Sequence, residues 1–197
     1  MSSRISAGTI EVPAMNLNGT VEMHEKAPNS MLAVLVINGA TYRQGFDGSV
    51  GWSDDPQNGL RQMDGAELEE TRRDSDFYHP LDLKKIYTKF TVTGMEKIRD
   101  RDAYVVDAAL PEGGADRLYF DEQSGLVLRI VSQHHTPDGV ITFTEDLSDY
   151  RDLDGVKLPF VVHQTSAESD FTIRFTEMRH NVNQEDAQFR KPAPAAQ

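Results

Sequence analysis

The 197-residue chain contains no cysteine and only one tryptophan. The absence of cysteine excludes disulfide bridges, thiol nucleophiles and cysteine-ligated metals. Long apolar runs are also missing: the longest, "MLAVLVI" at 31–37, is strand-sized and far short of the ~18 residues of a membrane-spanning helix. Basic residues are few, since 20 Lys and Arg stand against 32 Asp and Glu, a formal net charge of −12. Phosphate groups repel such a chain, which argues against nucleic acid and anionic lipid surfaces as partners.

The commonest pattern in the sequence is an alternation of apolar and polar residues. In "FTIRFTEM" (171–178) every second residue of the first five is apolar, a period that is typical of strands with one buried face. The same rule places Leu126, Leu128 and Ile130 of "GLVLRIVSQ" (125–133) together on one face. The chain is therefore predicted to be rich in strands.

Asp-Gly pairs separate the strand-like segments. They occur at 47–48, 138–139 and 154–155, and this dipeptide supplies the positive φ angles of tight hairpin turns. Because tight hairpins join antiparallel neighbours, the sheet is predicted to be mostly a meander. The spacing indicates about ten strands, and an open sheet of that size tends to curl or close.

A helical insertion is predicted between about residues 60 and 90. The segment "DGAELEETRRDS" (64–75) contains good helix formers, and the spacing of Asp64 and Glu67 resembles a capping box. A second short helix is predicted in "HPLDLKKIY" (79–87), where Pro80 suits a first helical turn.

Candidate catalytic groups do not form a motif. The six histidines are scattered, and the adjacent His134 and His135 point to opposite faces if they lie on a strand. We therefore expect exposed histidines at strand ends and no metal site. Carboxylates are plentiful, but strand ends and a polar helix face account for them, and no nucleophile elbow or phosphate-binding glycine loop is present. We predict no catalytic residue and no cofactor, with a hydrolase that uses carboxylates or histidine as the third alternative.

Two further features are interpreted structurally. The charged stretch "DYRDLDGVKLPF" (149–160) is interpreted as a turn at Asp154-Gly155, and Pro159 belongs at a strand start, an edge or a bulge. Trp52 is predicted to pack under the hairpin at 47–48, although it could also border a binding cavity.

Three segments taken in order resemble a known family. They are "GFDGSVGW" (45–52), "YFDEQSGLVLRI" (119–130) and "DYRDLDGVKLPF", with "NGTVEMHEKAPNS" (18–30) upstream. Over residues 8–178 the chain resembles the bacterial outer-membrane lipoprotein-sorting-like proteins of the LolA-like superfamily. The resemblance implies a strongly curved antiparallel sheet, an unclosed half-barrel, with short helices covering its apolar concave side. Members of this superfamily that are understood carry or sense acyl chains of lipids or lipoproteins in the periplasm.

The chain departs from this family in two respects. The usual N-terminal helix before the first strand is missing, so we expect a periplasmic or exported protein whose leader is absent from this sequence. No lid-latching arginine of the carriers aligns, and no functional residue is transferred from them.

The expected fold class is mainly β (α+β), with one half-barrel domain at 1–190 and a disordered tail at 191–197. The expected function is a non-enzymatic periplasmic binding module for an apolar ligand such as a lipid or lipoprotein acyl chain, with a lipoprotein or envelope protein as a further partner. The alternative is a protein-interaction or sensor domain of a longer exported protein, with a filled core. The residues predicted to line a cavity are Phe90, Val92, Tyr104, Val106, Leu118, Phe120, Leu126, Leu128, Ile141, Phe143, Phe171, Ile173 and Phe175.

Overall fold

The computed structural model describes residues 1–78, 81–111, 113–136, 139–167 and 169–193. Its strands are, in chain order, β1 (Ser3–Val12), β2 (Leu17–Lys26), β3 (Ser30–Ile37), β4 (Ala40–Phe46), β5 (Gly51–Asp55), β6 (Gly59–Gln62), β7 (Lys89–Ile98), β8 (Arg101–Ala109), β9 (Ala115–Asp121), β10 (Val127–Thr136), β11 (Gly139–Leu153), β12 (Val156–Thr165) and β13 (Asp170–His180). The helices are α1 (Gly65–Asp74) and α2 (Leu83–Ile86), with short 3-10 turns at Pro13–Met15 and Asp186–Phe189.

These strands form one antiparallel sheet. Its order within the described residues is β6-β5-β4-β3-β2-β1-β13-β12-β11-β10-β9-β8-β7, so thirteen strands lie side by side where about ten were expected. The first and last strands pair at the centre, and two meanders extend from them to the free edges β6 and β7. The sheet is not closed into a barrel, which confirms a mainly β, unclosed half-barrel fold.

The two helices connect edge strand β6 to edge strand β7 and lie on one face of the sheet. Helix α1 contacts β10 and β5. Ile86 of α2 and the following Tyr87 pack with Ala108 of β8 and Leu118 of β9. We call α1, α2 and the intervening Phe77 the lid, and the sheet face beneath them the lid face.

The predicted capping box at α1 is wrong. Asp64 occupies the N-cap position, but its side chain makes no capping hydrogen bond. Glu67 is bound instead by the guanidinium of Arg61. The Nη1 and Nη2 atoms of Arg61 donate to the carboxylate of Glu67 at 2.7 and 2.5 Å. The second helix is shorter than predicted, beginning at Leu83, and Pro80 lies outside the described residues.

The C-terminal segment packs on the opposite face of the sheet, where it contacts β2, β3 and β5. Trp52 is 1% exposed, lies opposite Gly45 in the β4–β5 hairpin, and donates from Nε1 to the carbonyl of Phe189 at 2.8 Å. The prediction that Trp52 packs beside this hairpin is confirmed. The last four residues of the predicted disordered tail, 194–197, lie outside the described residues, and the domain boundaries stay predictions.

A β-bulge corrects one predicted strand face. The register of β10 against β9 shifts between Val127 and Arg129. As a result Leu128 packs with Val105 and Tyr119 on the face away from the lid, whereas Ile130 packs with the cluster beneath α2. A bulge adds a residue to one strand and so reverses which side chains share a face.

The charged stretch at 149–160 contains the predicted turn at Asp154-Gly155, between the end of β11 at Leu153 and the start of β12 at Val156. The backbone N–H of Gly155 donates to Asp152 at 3.0 Å, and Asp154 has a φ of 55°. Arg151 is bound to Asp149 and lies 4.2 Å from the centre of the Phe160 ring. Of the three Asp-Gly pairs, the one at 138–139 includes Asp138, which lies outside the described residues.

Candidate functional site

The lid face is apolar across much of its width. Near the centre of the sheet, Val21, Phe160 and Phe175 form one buried cluster. Beneath α2, Ala108 and Leu118 form the sheet side of a second cluster. This face therefore has the chemistry expected of a surface that binds apolar groups.

Beside Phe77 the lid face leaves little free space. The cavity at this position has a volume of about 10 Å³, which is the space of a single water molecule. An acyl chain does not fit there while the lid is in this position. The lining of this cavity consists of Met1, Arg4, Phe77, Leu81, Val156, Leu158 and His180.

Beyond the lid, the edge of the same face carries exposed apolar side chains. Phe90, Val92, Met95 and Tyr104 are 39%, 65%, 52% and 40% exposed. Register places them on one face, because Met95 lies opposite Tyr104 and Val92 lies opposite Val106. The Phe90 ring contacts Tyr87 edge to face at 5.6 Å between centroids. We call Phe90, Val92, Met95 and Tyr104 the apolar strip.

Sequence reasoning found three members of the strip and missed Met95. Strict alternation from Phe90 and Val92 places Met95 on the other face. A register shift between Val92 and Gly94 restores it to the same face. Gly94 was the available signal, since a glycine within a strand often marks a bulge.

The predicted lining residues fall into three groups by exposure, and the structure brings them together only in part. Leu128 lies on the opposite face, and whether the others line a ligand site stays a prediction. Exposed at the edge are Phe90, Val92 and Tyr104; half-buried are Phe120, Leu126, Ile141, Phe143, Phe171 and Ile173; buried are Val106, Leu118, Leu128 and Phe175.

Two carboxyl groups, one buried and one half-buried, lie on the lid face. Asp116 of β9 is 6% exposed and accepts a hydrogen bond from the hydroxyl of Tyr87 at 2.7 Å. Glu145 of β11 accepts one from the amide of Gln164 at 3.2 Å. Burial raises the pKa of both carboxyls above the usual range, with nearby Asp74 adding to the effect.

The described histidines pair with carboxylates, and the expectation of exposed histidines is wrong for two of them. The side chains of His180 and His24 are only 1% and 15% exposed. His180 lies 3.0 Å from Asp154, and His163 lies 2.9 Å from Asp170. His79 lies outside the described residues.

A polar recess lies elsewhere, between the β2–β3 and β4–β5 turns and the C-terminal segment. It has a volume of about 480 Å³, and Lys26, Asp47, Asp186 and Arg190 contribute charged side chains to it. None of the residues predicted to line an apolar cavity borders it.

Among the residues that the structure describes, no three His, Asp or Glu side chains are placed to hold a metal ion. The described helices include none with the length and apolar character needed to cross a membrane.

Comparisons with known proteins identify the fold. No family model matches the sequence, and no curated protein matches it. A LolA superfamily protein from Nitrosomonas europaea superposes with a TM-score of 0.62 at 11% identity, covering 96% of this chain and 90% of the other. A DUF1329 family protein from Desulfovibrio piger gives 0.60 at 16% identity, covering 96% and 89%. A putative outer membrane lipoprotein-sorting protein domain from Vibrio parahaemolyticus gives 0.58 at 13% identity, covering 96% and 90%. The chain has a LolA-like fold.

Proposed function

We propose that this LolA-like chain is a non-enzymatic binding module for an apolar ligand such as the acyl chain of a lipid or lipoprotein. The apolar strip carries the proposal: two neighbouring strands expose four large apolar side chains on one face. Grouped apolar surface of this kind marks ligand or partner sites in soluble proteins. The strip also adjoins the buried cluster beneath α2, through the contact of Phe90 with Tyr87.

The dimensions of the strip suit an extended hydrocarbon chain. From Phe90 to Met95 a strand extends about 16 Å, and the strip has the width of two strands. Each fully buried methylene group contributes about 0.8 kcal/mol. Further burial of the ligand beneath α2 requires this helix to move, because Ile86 and Tyr87 pack against Ala108 and Leu118 there. Helix α2 has only four residues, which makes it a small element to displace.

The proposed location is the periplasm or another exported compartment. Support comes from the fold neighbour that is described as a putative outer membrane lipoprotein-sorting protein domain. A lipoprotein or an envelope protein is the corresponding proposed partner.

A second candidate function is a protein-interaction or sensor module of a longer exported protein. It is favoured by the close packing beside Phe77, where the cavity measures about 10 Å³. Edge strand β7 offers the binding surface, since its residues from Lys89 to Lys97 are all exposed. An extended segment of a partner can add to such an edge through backbone hydrogen bonds.

Native mass spectrometry of the purified chain, before and after organic extraction, separates the two candidates. An excess mass that extraction removes, and that is identified as a fatty acid or phospholipid, supports the acyl-chain module. A bare polypeptide mass that also takes up no added fatty acid supports the interaction module.

A matched pair of variants locates the ligand. Val92 lies on the strip, whereas Thr91 is an exposed neighbour that lies opposite Asp107 on the other face. We expect Val92→Gln to weaken the binding of a fluorescent fatty acid about fivefold, because it removes apolar contact area from the strip. Thr91→Gln is expected to bind as the unaltered chain does. Equal affinities of both variants would place the ligand elsewhere.

A further inference from the structure

Helix α1 has almost no apolar surface with which to hold its place on the sheet. In Gly65–Asp74 the only large apolar side chain is Leu68, and only Thr71 is buried. Leu68 packs over Gly51 of β5. A Cβ added to Gly51 would lie 3.0 Å from Cδ1 of Leu68. A lid helix is normally held by an apolar face, so polar contacts contribute an unusually large share of the attachment of α1.

The two halves of α1 are held by different chemistry. The first half is bound through Glu67 to Arg61 of β6, in a two-point contact. An arginine keeps its charge at every pH that a folded protein experiences. This half therefore has an anchor that does not respond to pH near neutrality.

The second half is bound through Glu70 to two histidines of β10. Glu70 is 12% exposed at its side chain and accepts the backbone N–H of His135 at 2.7 Å. Its other oxygen lies 2.5 Å from Nδ1 of His135. Nδ1 of His134 lies 4.0 Å from Glu70 and 3.8 Å from Asp74. The contacts of Glu70 with His135 join residues 65 positions apart in the chain.

The surroundings of these histidines are predominantly acidic. Asp74 from α1, Asp116 from β9 and Glu145 from β11 face His134, and the Tyr87 hydroxyl donates to Asp116. Arg73 of α1 also faces this patch, and it contacts Asp74 at 3.3 Å. A proton on either histidine therefore adds positive charge where negative charge is in excess.

We propose that Glu70, His134 and His135 form a latch that holds the second half of α1 on β10 more tightly in mildly acidic than in mildly alkaline solution. The latch regulates access to the lid face, and in that respect it rests on the proposed function. Its release frees the end of α1 that leads to Phe77 and α2, while the Arg61 anchor keeps the beginning of α1 in place.

The charges of the latch determine the direction of its pH dependence. In mildly acidic solution an imidazole gains a proton while a carboxylate of ordinary pKa keeps its charge, so a proton on either histidine turns its contact with Glu70 into an ion pair. As the pH rises the imidazoles lose that charge. Asp116 and Glu145 act in the same direction: their pKa values are raised in the folded chain, so the stability that they contribute below their ordinary pKa is lost as the pH rises through the raised values.

Hydrogen exchange of the full, ligand-free chain tests the latch at about pH 5.5 and about pH 8, with rates corrected for the intrinsic pH dependence of exchange. We expect amides of the second half of α1 to be protected about fivefold more at the lower pH. This difference is expected to disappear in the double variant His134→Gln, His135→Gln. Equal protection of the unaltered chain at both pH values would overturn the proposal.

Two further variants complete the test. Glu70→Gln removes the charge but keeps an acceptor for the His135 N–H, so the pH response should be lost even if the double histidine variant does not fold. His163→Gln removes a histidine that pairs with Asp170 away from α1, and the pH response should survive. A response that persists in Glu70→Gln would contradict the latch. Because no ligand is present, failure here leaves the mass-spectrometric test of acyl-chain binding unaffected.

Discussion

At the scale of single residues, the hydrogen bond from Tyr87 to buried Asp116 is expected to make the stability of the chain depend on pH. The Tyr87 hydroxyl donates to Asp116 at 2.7 Å and favours the ionised carboxyl, while burial raises the pKa of Asp116. We expect Tyr87→Phe to lower the free energy of unfolding by about 1–3 kcal/mol at neutral pH. The loss should shrink as the pH falls and Asp116 becomes protonated. Urea unfolding at several pH values measures it.

Tyr150 offers a control for this pH dependence. Its hydroxyl donates to the carbonyl of Val127 at 2.7 Å, and burial raises the pKa of Tyr150 to about 12. Neither group titrates in the acid range, so Tyr150→Phe should cost about 1 kcal/mol at every pH tested. If both tyrosine variants lose the same amount at all pH values, Asp116 is not the group that Tyr87 stabilises.

A second residue-scale prediction concerns Gly45, which lies against Trp52. A Cβ at Gly45 would be 2.5 Å from Cε2 and Cζ2 of the indole, so the ring or the strand must move. We expect Gly45→Ala to destabilise the chain by about 1–3 kcal/mol in thermal or urea unfolding. Gly94→Ala is the matched substitution, because nothing lies within 4 Å of a Cβ there and no comparable loss is expected.

At the scale of elements, the C-terminal segment covers the face opposite the lid. Phe189 is 1% exposed, and its carbonyl accepts the hydrogen bond of Trp52. Phe189→Ala should lower the free energy of unfolding by about 3–5 kcal/mol and shift Trp52 fluorescence to longer wavelength. The same change at Phe90, which is 39% exposed, should cost about 1 kcal/mol and leave the emission unchanged. A normal Trp52 spectrum in Phe189→Ala would mean that the segment is not its cover.

At the scale of the whole molecule, binding of an apolar ligand should raise the melting temperature. A ligand at a hundred times its dissociation constant stabilises the folded chain by about 2.7 kcal/mol. For a chain of this size that corresponds to about 5–10 °C. Fatty acids of increasing length, compared at equal concentration, should give progressively larger shifts, because each methylene adds apolar contact. Shifts that do not depend on chain length would argue against an acyl-chain site.

The amino-acid sequence by itself determined the antiparallel meander, the helical insertion and the LolA-like fold. Period-two alternation and Asp-Gly turns act over a few residues, so the sequence displays them directly. The same local information predicted Phe90, Val92 and Tyr104, which the structure brings together on the apolar strip.

Only the tertiary structure decided which side chains share a face and which distant groups meet. The shifts near Val92 and Leu128 moved Met95 onto the strip and Leu128 away from the lid face, because one added residue reverses a period of two. The contact of Glu70 with His135 spans 65 residues. This contact depends on where α1 crosses the sheet. Long-range packing determines that position, and no local sequence pattern encodes it.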